Sequence, residues 1–408
     1  MKTTLLSLKA FFTICLLCLV GGVSASAQNT YTKVTSEDQL VAGGIYVIVN
    51  ENAKTPVALS DQKFRKNSTT KTNRNVAVIT ITNNSFVLTN EDIATTTDGK
   101  KVYEFVLGGI KGAWTLFSSC DKGFLCAISS SDNYLGTKTE TDKNSEAKIT
   151  IASNGNASIE FTGNYTRNKL FYNKNTDKKG NITNELFSCY ANKPSNAEPI
   201  QLYRKVGTFP LTTAQYGTYY TEDAFVMPEG VTGYTITSAD GKTLNFNGNY
   251  VAGKTVPAKT ALVLKATEEL TANKEYTYTI VNSTAVAPTD NLLHGSVENA
   301  TTNVEGAKAY YKLASDPTEG LGFYYGAEDG GAFTNGAHKA YLAVKTPVLS
   351  QMRGFSFDSM TTGINHVVAN AEHAKSTVIY DLNGRRVNSL NAAAKGVYIV
   401  NGKKVIVK

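Results

Sequence analysis

The chain has 408 residues, of which 41% are hydrophobic and 18% are charged, with 41 Lys and Arg against 34 Asp and Glu. This length suits two or three domains, and the apolar content excludes a wholly disordered chain. The formal charge of +7 is segmental rather than one basic face: residues 28–205 carry +5, residues 206–373 carry −6 and residues 374–408 carry +6. We therefore predict no nucleic-acid partner.

Residues 1–27 have the composition of a secretory signal peptide. Two lysines precede an apolar stretch that ends at Val23, and the small residues Ala25 and Ala27 predict cleavage between Ala27 and Gln28. No later stretch is apolar and long enough to span a bilayer, so we expect no transmembrane segment. The mature chain is then secreted or held at the cell surface.

Cleavage at this point leaves three cysteines, Cys120, Cys126 and Cys189. Three is an odd number, so at least one thiol stays free or pairs between chains. Cys120 and Cys126 flank a predicted hairpin turn, where diagonal neighbours lie about 7–8 Å apart, too far for an unstrained disulfide. We expect three buried thiols that pack as small hydrophobic side chains.

Residues 28–205 predict an all-β domain, trefoil-like or sandwich. Short segments rich in β-branched and aromatic residues alternate with Asn, Gly, Asp and Ser, a pattern that does not fit βα units. One short helix is predicted at 36–40, where Ser36 and Gln39 have capping-box spacing. No sequence repeat of 20–50 residues is evident. The predicted strands are 45–49, 76–82, 85–88, 103–107, 113–118, 124–128, 148–152, 157–161, 169–172, 186–190 and 200–203.

Residues 206–346 predict a second all-β domain, a sandwich, in which Pro210 is expected to break a strand near the boundary. Turn dipeptides at Asp240-Gly241, Asn247-Gly248 and Asn335-Gly336 predict tight hairpins. Residues 347–373 show no regular spacing of apolar residues, so we predict that they form a connecting segment. The predicted strands are 218–220, 233–236, 243–246, 261–264, 276–280, 309–313, 323–325 and 339–344.

Residues 374–408 predict a small β meander of two hairpins. Segments 377–380 and 385–387 flank Asn383-Gly384, and segments 397–400 and 403–407 flank Asn401-Gly402. Both dipeptides are typical of type I′ turns. A unit this small is marginally stable alone, so we expect it to pack against another element.

The C-terminal sequence VIYDLNGRRV (378–387), followed by KGVYIVNGKKVIVK (395–408), resembles the C-terminal sorting domain of Bacteroidota type IX (Por) secretion substrates. The matching features are the YDLxGRxV hairpin, the GxYxV strand and the basic, β-branched terminus. The resemblance implies that residues 374–408 engage the outer-membrane secretion machinery and are then removed, leaving the protein anchored at the surface or released. Alternatively, these strands only complete the preceding domain.

Two further regions resemble accessory modules of large secreted proteins from the same bacteria. One module carries no established chemistry and typically precedes such a tail; the other is a non-catalytic β module that accompanies enzymes and adhesins. Neither resemblance brings catalytic residues. The first is carried by FPLTTAQYGTYY (209–220), VPAKTALVLKA (256–266), APTDNLLHGS (287–296) and GGAFTNGAHKAYLAV (330–344), and the second by NYLGTK (133–138), TRNKLFYN (166–173), LFSCYA (186–191) and PIQLYRK (199–205).

The known catalytic and metal motifs are either absent or out of context. Residues 248–255 fit the phosphate-loop pattern GxxxxGK[ST], but Pro257 follows at once and no helix is predicted, so we interpret them as a glycine-flanked hairpin. No pair of Cys or His has zinc-ligand spacing, and Glu328-Asp329 lacks the ligand spacing of a calcium loop. We expect no catalytic residue, no metal and no cofactor.

Aromatic rings beside amides or carboxylates are candidates for sugar binding, because the ring face stacks on a sugar while Asn or Asp bonds its hydroxyls. For each candidate, packing in a core or turn is the alternative. The candidates are Trp114, Tyr134 with Asp132 and Asn133, and Tyr172 with Asn173.

A basic loop and a short glycosylation motif are two further surface features of the sequence. A local basic loop could meet acidic glycans or lipopolysaccharide, with a solvated loop as the alternative. Asp358-Ser359-Met360 fits the short pattern at which these bacteria O-glycosylate exported proteins, which makes Ser359 a candidate modification site. The basic residues of the loop are Lys63, Arg65, Lys66, Lys71 and Arg74.

The sequence therefore predicts a secreted or surface-displayed, non-catalytic accessory protein that binds a glycan or a host or bacterial surface protein. Two alternatives stay open. One is a secreted hydrolase that uses a carboxylate pair, and the other is a structural or matrix protein without a defined ligand. A cleft lined by two close carboxylates would favour the hydrolase, whereas a flat aromatic surface would favour binding.

Overall fold

The computed structural model describes residues 28–64, 68, 72–95, 100–176, 182–240, 243–345 and 353–357, together with four strands between residues 379 and 407. Ala27 and the rest of the predicted signal peptide, and Ser359, lie outside the described residues. Gln28, on the other side of the predicted cleavage point, is the first residue of a strand.

The all-β class is confirmed. Helical structure among the described residues is limited to two single 3-10 turns, Glu37–Gln39 and Glu328–Gly330. The predicted capping box is wrong, because Ser36 makes no side-chain cap. Instead, the Gln39 side-chain oxygen accepts the backbone N–H of Thr35 at 2.8 Å. Neither turn has the length or apolarity of a membrane-spanning helix, and no other helix is described.

Residues 28–211 form fifteen strands among the described residues. They are β1 (Gln28–Lys33), β2 (Ile45–Asn50), β3 (Val57–Phe64), β4 (Thr72–Val78), β5 (Ser85–Thr89), β6 (Phe105–Ile110), β7 (Ala113–Ser118), β8 (Gly123–Ala127), β9 (Leu135–Lys138), β10 (Ala147–Ile151), β11 (Asn156–Phe161), β12 (Lys169–Thr176), β13 (Ile182–Tyr190), β14 (Ala197–Glu198) and β15 (Ile200–Leu211).

Six of these strands close into an antiparallel barrel. The pairings run β2–β6, β6–β7, β7–β10, β10–β11, β11–β15 and β15–β2, which returns to the starting strand. Three hairpins, β3–β4, β8–β9 and β12–β13, connect barrel strands and lie against one another, with β4 paired to β13 and β9 in contact with both. A six-stranded barrel with three mutually packed hairpins is a β-trefoil arrangement, the first of the two predicted alternatives.

Strand β2 is buried on both of its faces. Tyr46 and Ile48 are buried in the barrel core, whereas Val47 and Val49 are buried in a second cluster with residues of β1 and β5. Because alternate side chains of a strand point to opposite faces, both faces of β2 are covered. The N-terminal strand and the segment around β5 therefore form an outer layer on this side of the barrel.

Strand β15 continues through the predicted domain boundary at 205/206. Its first half pairs with β1, β2 and β11, and its second half pairs with the strand Lys274–Val281. The expectation that Pro210 breaks a strand is wrong, since Pro210 pairs with Glu275 inside β15. This half of β15 has one described ladder neighbour, and proline is tolerated where one edge of a strand is unpaired.

The second region contributes β16 (Tyr216–Tyr219), β17 (Ala224–Val226), β18 (Val231–Asp240), β19 (Thr243–Tyr250), β20 (Thr255–Val256), β21 (Leu262–Ala266), β22 (Lys274–Val281), β23 (Leu293–Ser296), β24 (Ala300–Thr301), β25 (Ala309–Asp316), β26 (Gly320–Tyr325), β27 (Thr334–Asn335), β28 (Lys339–Val344) and β29 (Gly354–Ser356).

Apart from the two-stranded sheet β24-β27, these strands form three stacked sheets rather than two. The second half of β15 with β22, β17 and β20 faces the sheet β16-β21-β18-β19, which in turn faces the sheet β23-β28-β25-β26-β29. Leu262 and Leu264 pack in the first of the two cores and Val263 packs in the second. The predicted sandwich is present, with a third sheet added.

Two predicted turns are wrong. Asn247 and Gly248 lie inside β19, where Asn247 pairs with Thr235. At Asn335-Gly336, the positive φ occurs at His338 (55°) and not at the glycine. The β18–β19 hairpin is present, but Asp240 pairs with Thr243 as the last residue of β18, so the predicted turn dipeptide Asp240-Gly241 is shifted by one residue.

The phosphate-loop pattern spans two sheets. Gly248 lies in β19, Gly253 occupies a turn with φ of 79°, and Thr255 begins β20, which pairs with β17. The predicted hairpin is therefore wrong, since β19 and β20 belong to different sheets. A strand follows the lysine where phosphate binding requires a helix N-terminus.

Within the predicted connecting segment 347–373, the structure places β29 at the edge of the third sheet, paired with β26. Phe355 and Phe357 are buried in the core of that sheet. The described residues 28–357 belong to one compact unit, and the four described strands between residues 379 and 407 belong to a second.

The C-terminal unit contains β30 (Ile379–Asp381), β31 (Arg386–Val387), β32 (Gly396–Val400) and β33 (Lys403–Val407), in the sheet order β31-β30-β32-β33. Both predicted hairpins are present. The pair Val400↔Lys403 encloses Asn401-Gly402 alone, as a two-residue turn requires. The pair Tyr380↔Arg386 encloses a longer connection, so the first turn is not the predicted two-residue type.

Candidate binding surface

The loop between β8 and β9 contains the residues Ser129–Asn133, which the sequence SSSDN biases towards a tight polar turn. The Ser129 hydroxyl accepts the backbone N–H groups of Ser131 at 3.2 Å and Asp132 at 2.9 Å. These two bonds hold the loop in one local conformation and orient Asn133 at its end.

The loop between β11 and β12 lies against this turn. The backbone N–H of Thr166 donates to the Ser130 hydroxyl at 3.1 Å, and Arg167 Nε donates to the Ser130 carbonyl at 3.2 Å. Arg167 Nη1 also donates to Asn133 Oδ1 at 2.5 Å. We call the residues of both loops, 129–133 and 164–167, the candidate surface.

The candidate surface presents one aromatic ring among polar groups. Tyr165 is 38% exposed, Thr166 is exposed, and Arg167, Asp132 and Asn133 are half-buried. A half-exposed ring on the same pair of loops as fixed amide, hydroxyl and guanidinium groups can stack on an apolar ligand face, while those groups bond the polar atoms of the ligand.

Of the predicted ligand residues, the candidate surface contains Asp132 and Asn133. Tyr134 follows directly but is 8% exposed, and Trp114 is 7% exposed in the barrel core. Their rings are packed against the interior, which is the alternative that the sequence left open. A ligand-binding role for them stays a prediction.

Tyr172 and Asn173 lie in another hairpin, on β12. Tyr172 is fully buried, and its hydroxyl donates to Glu185 Oε1 at 2.5 Å. Burial, and then this hydrogen bond, raises the pKa of Tyr172. Asn173 Nδ2 donates to the Tyr190 hydroxyl at 2.8 Å. The structure therefore does not bring this pair together with Asp132 and Asn133.

The basic residues of the predicted loop do not share one environment in the structure. Arg74 has a fully buried side chain that pairs with Asp121, so it is not part of a solvated loop. Lys63 donates to Asn184 Oδ1. Arg65, Lys66 and Lys71 lie outside the described residues.

The cysteines and histidines form no common site in the described part of the chain. Cys120, Cys126 and Cys189 are all free thiols; the last two are buried, and the half-buried Cys120 donates from Sγ to the Ala94 carbonyl at 2.8 Å. The prediction of unpaired, packed thiols is confirmed for Cys126 and Cys189. No group of three or more His, Cys, Asp or Glu side chains among the described residues is arranged to hold a metal ion.

Sequence reasoning missed Tyr165 and Arg167. The criterion of an aromatic ring flanked by an amide residue fits Asn164-Tyr165 as well as it fits Tyr134 and Tyr172. A further signal was available, since Tyr165 lies in a loop between two predicted strands, where a large ring is less completely covered than on a strand. What the sequence did not show is that this loop adjoins residues 129–133.

The sequence matches no protein-family model, and no curated protein matches it.

Proposed function

We propose that this protein is a secreted or surface-displayed, non-catalytic accessory protein that binds glycans through the candidate surface. The observation that carries the proposal is that the exposed Tyr165 shares a short loop with Arg167, whose guanidinium is held by Ser130 and Asn133. A prearranged site reduces the entropy lost on binding. The two loops extend from β-strands of the trefoil, and such rigid elements position a binding site well.

Export is part of the same proposal. Residues 1–27 serve as a cleaved signal peptide, and residues 374–408 contact the outer-membrane secretion machinery as a sorting unit. The support is the signal-like sequence and the two C-terminal hairpins. Cell fractionation, with mass spectrometry of the mature termini, tests this directly. A mature protein that retains residues 1–27, or that remains in the cytoplasm, would contradict it.

The binding proposal is tested with a glycan array followed by calorimetry on the strongest hits. We expect Tyr165→Ala to raise Kd about tenfold, equivalent to about 1.4 kcal/mol. Phe64→Ala is the matched control, because Phe64 is also an exposed ring, at 50%, and lies on the β3–β4 hairpin. Equal loss in both variants, or no glycan binding by the unaltered protein, would overturn the proposal.

A further inference from the structure

Arg167 is the basic residue of the candidate surface, and it is neutralised by no carboxylate within 4 Å in the described part of the chain. The acceptors of its hydrogen bonds are the carbonyl of Ser130 and the side-chain amide oxygen of Asn133, both uncharged. Basic residues nearby in sequence behave differently. Lys138, Lys143 and Lys169 each form an ion pair, with Asp142, Glu146 and Glu160 respectively.

The two neutral contacts orient the guanidinium without consuming its charge. A planar guanidinium matches the geometry of a carboxylate, and hydrogen bonds between charged partners are stronger than neutral ones. Arg167 is half-buried, so water screens its charge less than that of a fully exposed side chain. The exposed Tyr165 ring belongs to the same loop.

Asp132 is the other charged residue of the candidate surface. Its Oδ2 accepts the Ser131 hydroxyl at 3.2 Å, and it forms no ion pair with Arg167. The candidate surface therefore has one positive charge without an ion pair, on the loop 164–167, and one carboxylate held by its own loop, 129–133. A ligand carboxylate meets attraction at Arg167 and repulsion from Asp132.

We infer that the ligand of the candidate surface is an acidic glycan whose sugar carries a carboxylate, with that carboxylate on Arg167 and the sugar ring face on Tyr165. The inference rests on the proposed glycan-binding function and specifies its ligand class. It predicts that binding falls when the carboxylate is esterified, when Arg167 loses its charge, or when salt is raised.

The experiment is calorimetry on the mature full-length protein. The probes are oligogalacturonate, oligomannuronate and oligoglucuronate, each beside its methyl ester, which keeps the sugar and removes the charge. At least one acid is expected to bind, and its ester at least about tenfold more weakly. For that acid, Arg167→Gln should raise Kd about 10- to 100-fold, equivalent to about 1.4–2.8 kcal/mol, as expected for a charged hydrogen-bonded contact.

Two further variants separate a specific contact from general attraction. Lys193→Gln removes one exposed positive charge of the first region outside the candidate surface, and it should change Kd less than about twofold. Asp132→Asn removes the repelling carboxylate and should lower Kd for the acid by a larger factor than Kd for the ester.

The outcomes distinguish the inference from the proposed function. If a neutral glycan or the ester binds as well as the acid, and Tyr165→Ala abolishes that binding, the proposed function stands and the acidic ligand is wrong. If Arg167→Gln and Lys193→Gln weaken acid binding equally, the attraction is non-specific and the inference is wrong. If neither acids nor neutral glycans bind, both fail.

Discussion

A buried ion pair at the centre of the trefoil hairpins is the least expected side-chain arrangement in the protein. Arg74 on β4 and Asp121 in the β7–β8 turn have fully buried side chains, with Nη2 and Oδ2 2.6 Å apart. Gln62 donates to Asp121 Oδ1 at 3.0 Å, and the guanidinium lies over the Tyr103 ring. The pair thus joins two of the three hairpin units.

Removing one partner of this pair leaves an uncompensated buried charge. We expect Asp121→Leu or Arg74→Met to lower the free energy of unfolding by about 3–5 kcal/mol, measured by urea denaturation. The double variant should recover much of the loss, because neither charge then remains. Lys111→Ala is the control; Lys111 forms a solvent-exposed ion pair with Glu37, so its removal should lower stability far less than either single variant. A double variant as unstable as the sum of the two single variants would contradict this account.

The buried thiols predict a loss of stability at alkaline pH. Burial raises the pKa of Cys126 from 9.0 to about 12, and burial raises the pKa of Cys189 as well. Between pH 9 and 12 the unfolded chain loses the Cys126 proton while the folded chain keeps it, so this contribution to stability falls as pH rises.

Urea midpoints measured under reducing conditions at pH 8 and at pH 10.5 test this. The unaltered protein should lose more stability over this interval than Cys126→Ala, which has no thiol to titrate at this position. Equal losses in the two proteins would show that burial does not shift this thiol.

At the scale of elements, β21 is the central strand of the second region. It pairs with β16 on one side and β18 on the other, and both its faces are covered by other sheets. The sequence LVLKA explains this position, because consecutive apolar residues suit a strand that is buried on both faces.

Substitutions in β21 should therefore be costly on either face. We expect Leu264→Ala, on the face of the first core, to lower the free energy of unfolding by about 2–5 kcal/mol, through lost burial and the cavity left behind. Val263→Ala, on the face of the second core, should lower it by about 1.5–3 kcal/mol. Val286→Ala is the matched control; Val286 is 82% exposed and should change stability by less than about 0.5 kcal/mol. A small effect of either core substitution would argue against a three-layered arrangement.

The sequence located most strands of both regions, because β-branched and aromatic segments separated by polar turns are a direct local signal. The sequence-based prediction failed where glycine can occur for two reasons, in a turn or where another group packs closely against the backbone. Gly248 was interpreted as a turn residue, yet it lies in β19, where a Cβ would come within 2.6 Å of Tyr234 Cε1. Glycine is needed there for close approach and not for a turn.

At the scale of the whole molecule, β15 joins the trefoil to the stacked sheets. Beyond the shared strand, the Asn282 N–H donates to the Gly43 carbonyl at 2.8 Å, and Arg204 Nη1 donates to Thr279 Oγ1 at 2.6 Å. A domain boundary at 205/206 would cut a strand that is hydrogen-bonded on both sides of the cut.

We therefore expect residues 28–357 to unfold in one calorimetric transition, with a van't Hoff enthalpy equal to the calorimetric enthalpy. A fragment that ends at residue 205 should be less stable than the trefoil within the longer chain, because it lacks the partners of Gly43 and Arg204. Two separate transitions, one matching that fragment, would contradict a single cooperative unit.

The sequence by itself determined the all-β class, most of the strands, both C-terminal hairpins and two residues of the candidate surface, Asp132 and Asn133. These follow from local signals that depend on neighbours in sequence. Only the tertiary structure decided that six strands of residues 28–211 close into a barrel, that Arg74 is paired and buried, and that the loop of Tyr165 and Arg167 adjoins residues 129–133. Each depends on contacts between residues far apart in the chain, which a local pattern of side chains does not encode.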